Sequence, residues 1–322
     1  MASDGDSPRD DRLARIEEVA EETGGGLERL DARHVALSRM ESATLLVGFE
    51  RAESLTGRRG QTPVSTRIAE ESGFSQITLL AEGETWFRAP AIHAFFDRLI
   101  DEGTLDGFDR VVFYGAGMCG YAAAAYSVAA PGALVVALAP QATLNPRIAE
   151  WDRRFLRHRR LDFTTRYGYA PDMLDAAARA FILYDPEQPL DAMHAALFTR
   201  GNVTKIRCRH LGGMLEDELL SLGILDDILD AACEGKLSAA VLHRLLRARR
   251  DHPPYLRRLL AHLEAGNHEM RAAILCRSVV NRRGGPRFRR RLRELSEKFE
   301  AGGRALPARR ERPGRAPEAP QR

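Results

Sequence analysis

The sequence predicts an α/β fold, a mostly parallel sheet with helices on both faces, followed by an all-helical C-terminal region. Three observations carry this. Short apolar runs alternate with helix-patterned segments up to about residue 212, the signature of strands joined by crossover helices. From Gly213 onward no strand pattern recurs and helices follow one another. Between them lies Val111 to Tyr126, VVFYGAGMCGYAAAAY, in which an unbroken apolar run meets three glycines in six residues and then an alanine-rich helix.

Taken in order, Arg9 to Glu22 has apolar residues at helical spacing (Leu13, Ile16, Val19, Ala20) and is ended by Gly24-Gly25-Gly26. Met1 to Pro8 is expected to be a disordered acidic start. Leu27 to Ser38 alternates weakly, Ala43 to Phe49 (ATLLVGF) is a stronger buried strand, and the two are expected to be sheet neighbours. Ser65 to Ser72 reads as a short helix, Gln76 to Leu80 as a strand, and Ala91 to Ile100 as a helix. After the strand at Val111 come Ala133 to Ala139, Ala180 to Tyr184 and Val203 to Cys208. Six helices are then expected near 214–222, 225–233, 238–249, 255–265, 269–280 and 288–299, with Pro253-Pro254 opening one and Gly284-Gly285-Pro286 separating the last two. The expected organisation is a tail and helix over 1–26, an α/β domain over 27–212, a helical region over 213–300 and a disordered basic tail over 301–322.

Composition narrows the function classes. A chain of 322 residues, 44% hydrophobic and 29% charged, holds a sizeable core, and no apolar run approaches the ~20 residues that span a bilayer. The polar, acidic start carries no secretory pattern, so a cytoplasmic protein is expected. The net charge of +3, from 48 basic and 45 acidic residues, argues against a nucleic-acid partner. Cys119, Cys208, Cys233 and Cys276 form no CxxC pair, which points to reduced thiols rather than zinc or a disulfide framework. No cofactor and no metal are expected. Asp191 and His194 share a helix face but lack a third ligand, so a polar helix surface is the simpler reading.

Two motifs compete for the central turn. Gly115, Gly117 and Gly120 fit the GxGxxG of a dinucleotide site, but the acidic residue required about 20 positions later is missing: the next strand ends Leu138-Ala139-Pro140-Gln141. The alternative is a nucleophile elbow, GxSxG. Gly115-Ala116-Gly117-Met118-Cys119-Gly120-Tyr121-Ala122-Ala123 aligns without gaps with the GxSMGGYxA elbow of bacterial α/β-hydrolases, and Ala139-Pro140-Gln141 matches the Pro-Gln that follows the next strand in them. Over about Ala43 to Gly213 the sequence thus resembles the α/β-hydrolase superfamily. The resemblance implies a catalytic carboxylate at Asp185, a catalytic histidine at His210, and an oxyanion-binding N–H at Met118 with a second near Glu50 or Arg51. It fails at one place: Gly117 stands where the nucleophilic serine belongs, so no acyl-enzyme forms there.

The expectation is therefore a hydrolase-like protein with an incomplete triad that binds a small-molecule ligand or a protein partner at Gly115, Gly117, Met118 and Gly120. The enzyme alternatives are a water activated by His210 and Asp185, or Cys119 acting as nucleophile. The chain as a whole also resembles bacterial proteins labelled phosphoadenosine phosphosulfate reductase, which implies nucleotide binding, although neither the SGGxDS-type loop nor the ECGxH-type motif of that family is present. Trp86-Phe87 and Tyr167-Gly168-Tyr169 are expected at a pocket rim or in the core. Leu292, Leu295 and Phe299 form a stripe expected to pack on a neighbouring helix or a second subunit.

Overall fold

Residues 8–55 and 62–307 are described by a computed structural model. The expectations for the first seven residues and for the basic tail beyond 307 fall outside them. The chain divides into two compact units, Met1–Arg250 and Asp251–Arg322.

The first unit is built on one eight-stranded sheet in the order β1-β2-β4-β3-β5-β6-β7-β8. Its strands are β1 (Gly26–Arg29), β2 (His34–Arg39), β3 (Thr44–Arg51), β4 (Ser75–Ala81), β5 (Arg110–Ala116), β6 (Leu134–Leu138), β7 (Arg179–Tyr184) and β8 (Val203–Arg207). From β4 to β8 all neighbours are parallel, while β2 runs antiparallel to both β1 and β4. Two expectations are corrected here. The weakly alternating stretch is a hairpin, turned where Asp31 accepts from the Arg33 N–H and the His34 ring. Its second strand adjoins β4, not β3, because Leu79 pairs with Ala36 on one side and with Phe49 on the other.

Among the described residues, the α-helices α1 (Pro8–Glu22), α2 (Val64–Ser72), α3 (Pro90–Asp101), α4 (Met118–Tyr126), α5 (Pro146–Ala149), α6 (Ala170–Met173), α7 (Pro189–Leu197), α8 (Leu215–Ser221), α9 (Leu225–Cys233) and α10 (Ala239–Leu245) precede the second unit. The two-residue period of the strands sorts side chains to opposite faces. Val47, Phe49, Leu79, Phe113, Val135 and Ile182 join one core with residues of α3 and α4. On the opposite face α2 and α9 pack against β3 and against each other. Arg67 of α2 grips Asp226 of α9 with two bonds of 2.9 Å, Ser72 bonds Asp230, and Arg110 of β5 donates to the Cys233 carbonyl. The Tyr114 hydroxyl reaches Glu216 of α8. This is why the sheet unit extends to Arg250 rather than ending at residue 212: the amphipathic helices just beyond β8 bury their apolar faces in the same unit as the strands.

The second unit holds α11 (Pro253–Ala265), α12 (Glu269–Arg283) and α13 (Pro286–Ala301) around Leu256, Leu260, Cys276, Val279, Leu295 and Phe299. The stripe of α13 is thus covered within its own unit, tied further by Arg291–Glu264 at 2.6 Å. No described helix is long and apolar enough to cross a membrane.

Candidate functional site

The central turn is a sharp bend from strand to helix. Gly117, between β5 and α4, sits at φ 58°, ψ −121°, a region that costs an L-residue on the order of 1–3 kcal/mol. The three glycines act differently. A Cβ on Gly115 would lie 2.3 Å from the Cys119 carbonyl oxygen, and one on Gly120 would press on Gly115 and Pro140, so these two let the strand and helix approach. A Cβ on Gly117 would meet nothing within 4 Å. Space for a side chain exists where the sequence supplies none.

That space opens on a cleft of about 790 Å³ at the carboxyl ends of the strands, lined by the ends of β3 (Arg51), β5 (Gly117, Met118) and β6 (Ala139, Gln141) and by the loops after β4 (Trp86), β7 (Gln188) and β8 (Gly213). Crevices at this edge of parallel sheets are where ligands bind in open α/β folds. Backbone strain gathers there as well. Trp86 (φ 48°), Phe87 (φ 53°), Ala139 (φ 44°) and His210 (φ 64°) are non-glycine residues in left-handed conformations, all in loops after strands. The Trp86-Phe87 turn is held from several sides: Thr85 accepts from the Phe87 N–H and bonds the His34 ring at 2.9 Å, and the Tyr126 hydroxyl donates to the Phe87 carbonyl. Met118 lines the cleft, and as the first residue of α4 its N–H is one of the donors a helix leaves without an internal partner.

The remaining expected residues are placed as follows. Asp185 is 2% exposed and spends its carboxylate on backbone: Oδ1 accepts from the Glu187 N–H at 3.0 Å and Oδ2 from the Gly212 N–H at 2.7 Å. It makes no hydrogen bond to His210 among the described residues, and so clamps the turns after β7 and β8 to each other instead of orienting an imidazole. His210 follows β8, half-buried, within the loop so clamped. Cys119 is 3% exposed and belongs to the core beneath the sheet, while Met118 is the residue of that turn that reaches the cleft. Burial also pushes the Cys208 and Cys233 thiols up to about 12. The Glu50 carboxylate is buried and accepts from the Val64 and Ser65 N–H groups at the start of α2, whereas Arg51 lines the cleft.

Sequence reasoning passed over a second polar group. His194 and Asp191 of α7, read as a helix surface, are buried, at 0% and 5% exposure. The Ala142 N–H donates to His194 Nδ1 at 3.1 Å, which fixes the proton on Nε2, and Nε2 donates to Asp152 at 3.0 Å. Arg154 bridges Asp152 (2.9 Å) and Asp191 (2.7 Å). Burial works against the Asp152 charge, yet the His194 and Arg154 hydrogen bonds outweigh it and hold the carboxyl well below the usual carboxylate range. Arg154 and Asp191 line the cleft, as do Gln141 and Phe155. The network therefore pins the 141–155 loop to α7 and shapes one wall. The spacing of Asp191 and His194 showed a shared face, but nothing local showed that Asp152 would cover it.

Two residues that line this cleft carry a buried polar atom without a hydrogen-bond partner among the described residues, Nε1 of Trp86 and Oε1 of Gln141. Each costs about 1–3 kcal/mol when unsatisfied.

No family model matches the sequence, and no curated protein matches it. Among solved structures the chain is similar to the esterase Est1E from Butyrivibrio proteoclasticus (16% identity over 57% of this chain and 88% of that one, TM-score 0.36). It is also similar to a Pyrobaculum calidifontis esterase (14%, 73% and 97%, TM-score 0.40) and to EstE1, a thermostable carboxylesterase from a metagenomic library (12%, 72% and 98%, TM-score 0.39). Likeness this slight adds nothing to the geometry. What the structure itself provides is a mostly parallel eight-stranded sheet and a sharp strand–turn–helix at Gly117.

Proposed function

We propose that this protein binds a small ligand in the cleft around Gly117 and performs no serine-hydrolase chemistry there. One observation carries the reading: the turn at Gly117, φ 58°, ψ −121°, has room for a side chain, with no atom of the described residues beyond its chain neighbours within 4 Å of a Cβ, and the side chain that would attack a carbonyl is absent. The strained turns, the Met118 N–H and the unpartnered Trp86 and Gln141 atoms support a site that receives a ligand. The enzyme alternatives have less behind them. Asp185 is committed to two backbone N–H groups, and Cys119 lies in the core.

The test is turnover of p-nitrophenyl acetate and butyrate by the purified protein. The expected result is release of nitrophenol at the buffer rate. Turnover proportional to protein concentration, lost in His210→Ala and kept in Cys119→Ala, would replace the binding reading with a water-based hydrolase.

A further inference from the structure

The cleft carries more carboxylates than guanidiniums. Five carboxylates line it, on Glu53, Glu84, Asp191, Glu216 and Asp217, against the guanidiniums of Arg51 and Arg154. Both cations have carboxylate partners, and several of the carboxylates have donors of their own: Glu53 accepts from the Gly83 N–H, Glu84 lies 3.3 Å from the His158 ring and Glu216 accepts from the Tyr114 hydroxyl, which leaves the lining with a net negative charge. Arg154 bridges Asp152 and Asp191, and Arg51 lies 3.4 Å from Glu53. The carboxylate of Asp191 gives Oδ1 to Arg154 and has no further hydrogen bond among the described residues. Independently of these charges, Gln141 is 4% exposed, lines the same cleft and carries an acceptor, Oε1, with no donor among the described residues. Its amide nitrogen is turned to the Ala139 carbonyl at 3.4 Å, so the amide's acceptor end is the one left unpaired. Nε1 of Trp86, 1% exposed, adds one unpaired donor.

A ligand that answers this lining brings positive charge and several N–H or O–H donors, together with an oxygen for the indole. An anion would meet the excess of carboxylates and a neutral amide oxygen, a repulsive arrangement in a partly desolvated crevice. We propose that the cleft selects a small hydroxylated amine, bound as its ammonium ion, and rejects phosphorylated and carboxylated compounds. This rests on the binding function proposed above and narrows it by charge.

The experiment is calorimetric titration of the full chain with three probes that differ at one substituent: glucosamine, glucose and glucose 6-phosphate. Glucosamine is expected to bind roughly fivefold to tenfold more tightly than glucose, with no saturable binding of the phosphate. Asp191→Asn, which keeps an acceptor for Arg154, should remove most of the preference for glucosamine over glucose. Glu84→Gln, at a half-exposed rim position, should weaken glucosamine to a smaller extent and serves if Asp191→Asn fails to fold. Tightest binding of the phosphate, equal binding of all three, or saturable binding of none would overturn the charge assignment. Ester turnover in the separate assay would instead sink the binding function itself.

Discussion

Replacing Gly117 by alanine separates a conformational role from a steric one. At φ 58°, ψ −121° a Cβ brings strain of about 1–3 kcal/mol, and restricting the unfolded chain returns about 0.4–1 kcal/mol. Among the described residues no atom beyond the neighbouring residues lies within 4 Å of the new carbon, so no packing penalty is added. The net expectation is a destabilisation of roughly 1–2 kcal/mol. Gly115→Ala is the contrast. Its Cβ would fall 2.3 Å from the Cys119 oxygen and 2.4 Å from the Cys119 carbonyl carbon, both backbone atoms that cannot rotate away. That change should cost at least the upper end of the ~1–3 kcal/mol typical of overpacking. Denaturant unfolding followed by far-UV circular dichroism, with variant and parent compared at equal slope, reads both values. A Gly117→Ala variant as damaged as Gly115→Ala would refute the open space at the elbow, and one more stable than the parent would refute its left-handed backbone.

Two further outcomes follow from the buried groups. His194→Ala should destabilise the first unit by about 3–5 kcal/mol, because it strips a partner from the buried Asp152 carboxylate and from the Ala142 N–H, and a loss below about 1 kcal/mol in urea unfolding would contradict the network. His93 is held down to about 4 from 6.5 by burial, with Arg88 and Arg166 adding to the shift and Asp97 and Asp162 opposing it. The unfolded chain thus binds the proton first, so stability is complete above pH 6.5 and declines as the pH falls toward 4, by on the order of 2–3 kcal/mol. His93→Phe should flatten that part of the stability–pH curve, and an unchanged slope would assign the acid sensitivity elsewhere.

Much of the fold is legible in the residues themselves. The unbroken apolar runs at Leu45 to Phe49, Val111 to Tyr114 and Val135 to Leu138 can satisfy their burial only as central strands covered on both faces, and each is one. The strand–turn–helix of Val111 to Tyr126 was legible too, since a strand, clustered glycines and a run of alanines admit few other local geometries. The neighbour relations were not. Whether β2 lies beside β3 or β4 depends on which edge is vacant once the sheet assembles, and no local pattern encodes that.

The site divides in the same way. Sequence alone determined that Gly117 has no nucleophile, because an absent side chain is absent in every conformation. Only the tertiary structure decided what Asp185, Asp191 and His194 do. A carboxylate after a strand can serve an imidazole or a backbone N–H, and it was the return of the loop after β8 that brought the Gly212 N–H within 2.7 Å of Asp185. A histidine on a helix is a surface group until another segment covers it; here Asp152 and the Ala142 N–H, 42 and 52 positions away along the chain, came to occupy both of its nitrogens. Local propensity acts over a few bonds, whereas hydrogen-bond partners are assigned by proximity in space, which the whole chain must fold to create.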